Sequence, residues 1–270
     1  MADSTSGPEG TPDSGSQTPP PNQQTPPSGQ QTSALSYMLA NKLETLLWMT
    51  RVFTVVSTIL FILPLFGGNP NSFYQRALIS SAATSALRLH QRLPNFQFSR
   101  EFFGRMFLED SCHYLFFALI FMNTYPITMS LVPVFLFALL HATTFTKTLL
   151  NLMGQGSLQF AHNLVNKLVL QQTNILRFIA CTEVFLMPAI IFMIFIGKAM
   201  LLLPFVYYRF LTLRYASRRN PYCRLVFTDL RQNVEVLCSK PQCPAFVRNM
   251  SYKGIALICR LAPDVAPASS

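Results

Sequence analysis

Charge is scarce in this sequence. Of 270 residues 12% are Asp, Glu, Lys or Arg, 50% are hydrophobic, and the mean hydropathy is +0.32; soluble domains carry about 25% charged residues. These values exclude an ordinary soluble domain and leave no room for a second large one beside a membrane bundle. Acids are the scarcer sign, 11 against 21 Lys and Arg, for a net charge of +10. The six cysteines form no CxxC pair, and no histidine follows His162, so Cys238 and Cys243 lack the partners a zinc site needs. A phosphate loop, an HExxH helix and a nucleophile elbow are also missing, and the expectation is a non-enzyme without cofactor, metal or small-molecule substrate. Residues 1–34 contain no aromatic side chain and only Asp3, Glu9 and Asp13 as charges. Such a Pro/Gln/Ser-rich segment cannot offset its ordering entropy and is expected to be disordered, as is 264–270, with the PPP at 19–21 read as part of a linker. No basic start leads into an apolar run, so no cleavable signal peptide is expected.

What the chain does have is long uncharged runs. Ser111 to Thr146 carries no Asp, Glu, Lys or Arg and is too long for one crossing of a hydrocarbon core of roughly 30 Å. Asn123-Thr124-Tyr125-Pro126 breaks it, because proline removes a donor and biases the preceding residue away from helical angles. A hairpin of helices over about 107–123 and 127–147 follows. An earlier block, 46–66, has spanning length, with Trp48 at interfacial depth and Arg51 close enough to that end to snorkel. GGNPNS at 67–72 marks a turn, and 73–93 is short and polar for a span, a brief returning helix or one lying at the interface. After an amphipathic stretch, 157–177, the last apolar block divides at Gly197-Lys198 into arms 178–197 and 199–208, with Pro188 and Pro204 able to kink them. The fold class is all-α, a polytopic membrane domain over 35–208.

The basic residues are one-sided. Residues 88–105 hold Arg88, Arg92, Arg100 and Arg105 against Glu101. Residues 209–260 hold ten Lys or Arg and two acids, a net of +8. Both regions are expected on the cytosolic face. Within the tail, 209–263, Val226, Phe227, Leu230, Val234 and Leu237 share one helical face, and Phe246, Met250, Leu257, Ile258 and Leu261 share another. Lys253 and Arg260 edge the second stripe, where they can snorkel toward phosphates. With Arg209, Arg214, Arg218, Arg219 and Arg224 they make this tail the expected contact for anionic lipid or a cytosolic partner such as an acidic import receptor, nucleic acid being the weaker case.

Glu109, Asp110 and His113 lie within one helical turn at the mouth of the central hairpin, and Glu183 lies inside the last apolar block. Unpaired ionisable groups at membrane depth are costly, so these four are a candidate intramembrane polar cluster for ion conduction. The plainer reading puts Glu109 and Asp110 at a helix start, where the dipole favours anions, and pairs Glu183 with Arg177 or a backbone group. The cysteines read as structural or palmitoylated.

The strings SFYQRAL (72–78), TSALRLHQRLP (84–94), LEDSCHYL (108–115), NTYPITMS (123–130), FLMPA (185–189), YYRFLTLRYASRRNPYCR (207–224) and RLAP (260–263) resemble the transmembrane protein 33 family, also called Krüppel homologue 2, which includes yeast pore-membrane proteins. The resemblance covers about 35–263. It implies a protein of the endoplasmic reticulum and nuclear envelope that works with reticulons on tubule shape, with links to nuclear pore assembly, stress signalling and membrane channels. It supplies no catalytic motif. The polarity of 73–93 favours a lumenal N-terminus opposite a cytosolic C-terminus. A cytosolic tail leaves Asn249-Met250-Ser251, the one glycosylation sequence in the chain, unmodified.

Overall fold

The computed structural model describes residues 34–63, 69–94, 98–153, 158–217 and 220–263, and every element among them is helical. Of the segments expected to be disordered, 1–34 and 264–270, all but Ala34, which opens the first helix, lie outside the described residues, as do the triproline and Gly67 and Gly68.

The helices are α1 (Ala34–Ala40), α2 (Lys42–Ile62), α3 (Pro70–Arg92), α4 (Arg100–Phe107), α5 (Asp110–Met122), α6 (Thr128–Met153), α7 (Gln159–Leu170), α8 (Gln172–Phe195), α9 (Leu203–Ala216), α10 (Tyr222–Ser239) and α11 (Ala245–Leu261). Three of them, α2, α6 and α8, are long and apolar enough to cross a membrane; α5 is apolar but shorter.

The helix over 73–93 neither stops short nor stands apart from the bundle. Asn69 caps it by accepting from the Asn71 amide at 3.0 Å, Pro70 opens the first turn, and 23 residues follow, about 34 Å of rise. It runs antiparallel along α2. Phe61 meets Tyr74 with ring centroids 5.6 Å apart, Ser80 Oγ donates to the Thr50 carbonyl at 2.7 Å, and Arg88 reaches Glu44 at 3.8 Å. The Ser and Thr that lower its hydropathy are packing residues here, giving close approach and satisfied donors. The beginning of α2 and the end of α3 therefore lie at one end of the bundle. Of the two readings of 73–93 the returning helix is the one seen, and at 23 residues it is not short, although α3 is not among the three helices apolar enough to cross a membrane.

The central and last hairpins have the same sense. Helix α5 ends at Met122 and α6 begins at Thr128. At this turn end Tyr74 and Ser130 hydroxyls meet at 2.8 Å; Ser130 donates to the Ile127 carbonyl, so Tyr74 is the donor between them. Gly197, at φ 74°, ends α8: the Lys198 amide donates to the Met193 carbonyl at 2.9 Å, closing the left-handed cap for which glycine is suited. Lys198 Nζ stands 5.0 Å over the Tyr125 ring, so the second and third turns are neighbours. Pro204 lies in the first turn of α9 and starts that helix, while Pro188 is inside α8. At the opposite end Arg92 pairs with Glu109, and the Trp48 indole donates to Thr146 Oγ1 at 3.0 Å.

The chain thus doubles back three times, between α2 and α3, α5 and α6, and α8 and α9, with the three turns at one end, opposite the open end, while α5 itself packs on α3 and α9 and α6 on α2 and α8. The turns 63–69, 123–127 and 196–202 carry Lys198 as their single charge, whereas 88–105 and the chain beyond Arg209 are strongly basic. Boundaries differ from expectation in both directions: α5 begins at Asp110, not 107, and α2 ends at Ile62, not 66. Helix α2 begins four residues before 46, α6 runs on to Met153, and residues 172–177 belong to α8, not to the preceding amphipathic segment. The expected cytosolic tail does not start at 209 either, since α9 continues to Ala216 with Phe210, Leu211 and Arg214 buried. Polar residues near a helix end cost little at an interface, so these extensions past the apolar runs are tolerated.

Aromatic packing of α5 on α9 fills the core. Phe117 lies 5.0 Å from Phe210 and Phe121 5.7 Å from Tyr207, ring centre to centre. At 13 and 14 residues these two helices rise only about 20 Å, short of the roughly 30 Å core that their longer partners can cross.

Candidate functional site: a buried ion cluster and a basic apolar stripe

Four helical steps separate Asp110 from Tyr114, so both face α8 and α9 from one side of α5. Tyr207, Phe210, Leu211 and Arg214 likewise share a face of α9, and Arg214 is 1% exposed. Its Nε donates to Glu183 Oε2 at 3.0 Å and its Nη1 to Asp110 Oδ1 at 3.2 Å. Glu183, fully buried on α8, also accepts from the Tyr114 hydroxyl, and its carbonyl accepts from Tyr207 at 2.8 Å. Ser217 Oγ donates to Asp110 Oδ1 at 2.9 Å. The guanidinium carbon stands 5.2 Å from the Tyr114 ring centre, adding a cation–π contact. Two carboxylates, one guanidinium and two phenols thus close a cluster where α5 starts and α9 ends, halfway along α8.

Of the four expected cluster residues, Asp110 and Glu183 are brought together through Arg214. His113 is adjacent and wholly buried, but its Nε2 lies 2.7 Å from the Phe107 carbonyl. Glu109 turns to Arg92 on α3. Glu183 does not pair with Arg177. The arrangement holds Glu109, Asp110 and Glu183 each against an arginine. Among the described residues no group of His, Cys, Asp and Glu could hold a metal.

Arg214 corrects the reading of the basic tail. It was expected at lipid phosphates and instead lies inside the bundle, because the carboxylates of Asp110 and Glu183 compensate its charge there. Its place on the Tyr207, Phe210 and Leu211 face was the signal available in the sequence. Arg51 also departs from expectation: it does not snorkel but is buried at 4% exposure. Arg218 and Arg219 lie outside the described residues.

The remaining tail residues are at the surface. Arg209, Lys253 and Arg260 are exposed and Arg224 is half-buried. Helix α11 leaves Phe246 (73%), Met250, Leu257 (57%), Ile258 and Leu261 open, a stripe with Lys253 and Arg260 along its edge. Ser251 and Ile255, together with Ile258 and Leu261 of the stripe, line a mainly apolar cavity of about 610 Å³ shared with α8, α9 and α10, and the Tyr208 hydroxyl donates to the Leu261 carbonyl at 2.8 Å. On α10, Val226, Phe227, Leu230 and Val234 are half-buried while Leu237 is exposed. All six cysteines are free thiols: Cys112, Cys223 and Cys238 are buried and Cys259 is exposed. Burial, with the Glu183 carboxylate near it, pushes the Cys223 thiol up to about 12.

The family model for transmembrane protein 33/nucleoporin POM33 matches residues 26–264. Transmembrane protein 33 of Rattus norvegicus is 58% identical over 234 residues, 86% of this chain and 95% of the relative. The Homo sapiens protein of the same name is 58% identical over 233 residues, 86% and 94%. Krueppel homolog 2 of Drosophila melanogaster is 41% identical over 236 residues, 87% and 84%. No solved structure matches. A chain matched over almost all of its helical region belongs to the transmembrane protein 33/nucleoporin POM33 family of membrane proteins.

Proposed function

We propose that this protein organises the tubular endoplasmic reticulum and nuclear envelope without catalysing a reaction, acting through bilayer geometry and membrane partners. The observation that carries this reading is α11, whose apolar stripe lies in the open beside Lys253 and Arg260. Laid in a leaflet, such a helix gains from apolar burial, at roughly 25 cal/mol per Å², and from about 1 kcal/mol for each basic residue near an anionic surface. By the positive-inside tendency the leaflet that α11 would enter is cytosolic. Reticulon-type proteins are the partners proposed for the lateral surface, and nuclear pore components or import receptors for the basic face. A part in the unfolded protein response would follow from membrane organisation. The family description names a nucleoporin, and neither it nor these relatives' names denote an enzyme.

The test is complementation. In cells depleted of the protein, the wild-type chain should restore reticulum tubules, while Leu257→Asp with Ile258→Asp, inserted at equal level, should not. Equal restoration by both would end this reading. The alternative, an ion conductor or a regulator of a reticulum calcium channel, has weaker support because Asp110, Glu183 and Glu109 are each held by an arginine. If neutralising these acids abolished ion flux while tubules stayed normal, the alternative would replace the proposal.

A further inference from the structure

A second polar site adjoins the Arg214 cluster, sharing Asp110 and Tyr114 with it, among α2, α3, α5 and α6. It is a cavity of about 170 Å³ whose lining includes Arg51, Arg88, Arg92, Thr84, Ser85 and Ser111. Three guanidiniums and several hydroxyls make an unusual lining for the interior of a membrane bundle, where a permanent cation needs a counter-charge. Two of the three lack a full one. Among the described residues no hydrogen bond or ion pair reaches the Arg51 guanidinium, although the residue is 4% exposed. Arg88 meets Glu44 only at 3.8 Å, and its Nε is buried without a partner. Arg92 is satisfied by Glu109, and Asp110, the carboxylate on the cavity wall, is committed to Arg214 and Ser217. Arg51 lies nine residues into α2, about 13 Å of rise from its start, and it shares the wall with Arg88 from the last turns of α3.

We propose that this cavity binds a phosphate-type oxyanion, with Arg51 and Arg88 as its principal ligands and the Ser85 and Ser111 hydroxyls as donors to its remaining oxygens. Guanidinium forks match the paired oxygens of phosphate, and hydroxyls add neutral donors. A water's share of liquid volume is about 30 Å³, so the space exceeds that of a single water and suits a phosphate group. The phosphate is either free in solution or carried on a lipid headgroup entering from the open end of the bundle.

The full chain, purified in a maltoside detergent free of phosphate, is unfolded thermally with added inorganic phosphate, with phosphatidic acid, or with chloride at matched ionic strength. A free-anion site predicts a saturable rise of the midpoint with inorganic phosphate. A headgroup site predicts it with phosphatidic acid alone. In either case chloride produces no comparable rise, Arg51→Gln loses the response, and its midpoint without ligand is no lower than that of the wild type, because an uncompensated buried charge has been removed. Arg51→Lys, which keeps the charge but loses the fork, should fold and need a several-fold higher ligand concentration, and it decides the matter if Arg51→Gln does not fold. A wild-type response equal in chloride, no response to either phosphate source, or an unchanged response in Arg51→Lys would overturn the proposal.

Discussion

Arg214 and Glu183 are 31 residues apart in the chain, yet Arg214 Nε donates to Glu183 Oε2 at 3.0 Å with both side chains closed to solvent. Asp110 on α5 completes the clamp at 3.2 Å. A buried ion pair does little for net stability against an apolar substitute, but removing one member leaves an uncompensated charge. Arg214→Met should therefore destabilise the detergent-solubilised protein by about 3–5 kcal/mol. Combining it with Glu183→Gln and Asp110→Asn should recover much of that loss, as measured by thermal unfolding. If Arg214→Met alone is as stable as the wild type, the cluster does not tie α5, α8 and α9 together.

The antiparallel course of α2 and α3 fixes a topological expectation. Tags at Ala2 and Ser270 should be equally sensitive to protease in sealed microsomes, since each helical pair returns to the end from which it began. A tail on the same side as the open end leaves Asn249, exposed on α11, without a glycan. One tag protected and the other digested would contradict the three reversals of the chain, and an endoglycosidase-sensitive mass shift lost in Asn249→Gln would put α11 in the lumen.

Cysteine reactivity offers a probe of how α10 packs. Burial holds the Cys223 thiol protonated until pH approaches about 12, while Cys259 is exposed on α11. Since the thiolate is the nucleophile, maleimide at neutral pH should modify Cys259 quickly and Cys223 only after unfolding, with peptide mass spectrometry as the readout. Equal rates in the folded protein would mean that α10 is not seated on α8.

Proline and glycine chemistry made the turns legible in the sequence. Tyr125-Pro126 lies between α5 and α6, and Gly197-Lys198 closes α8, because those residues constrain backbone angles whatever surrounds them. Long-range pairing was hidden. Ser80 and Thr84 lower the hydropathy of α3 and suggested a surface helix, but their hydroxyls are spent on α2 and on the helix's own carbonyls. Arg214 stands among basic residues and reads as one more topology signal, since nothing local says that Asp110, 104 residues earlier, is its partner. Arg51 near the start of an apolar run reads as a snorkelling residue, and only the packing of α3, α5 and α6 around it turns it inward.

The account depends most on where the exposed stripe of α11 resides. A full chain with cysteine placed at Leu257 and its accessible native Cys259 replaced, labelled with an environment-sensitive fluorophore and reconstituted in vesicles containing anionic lipid, reports this directly. The account predicts a blue-shifted emission that lipid-borne quenchers reduce and aqueous iodide does not, unchanged by high salt because burial of the stripe is not screened. Emission at the wavelength of water, quenched by iodide, would contradict it.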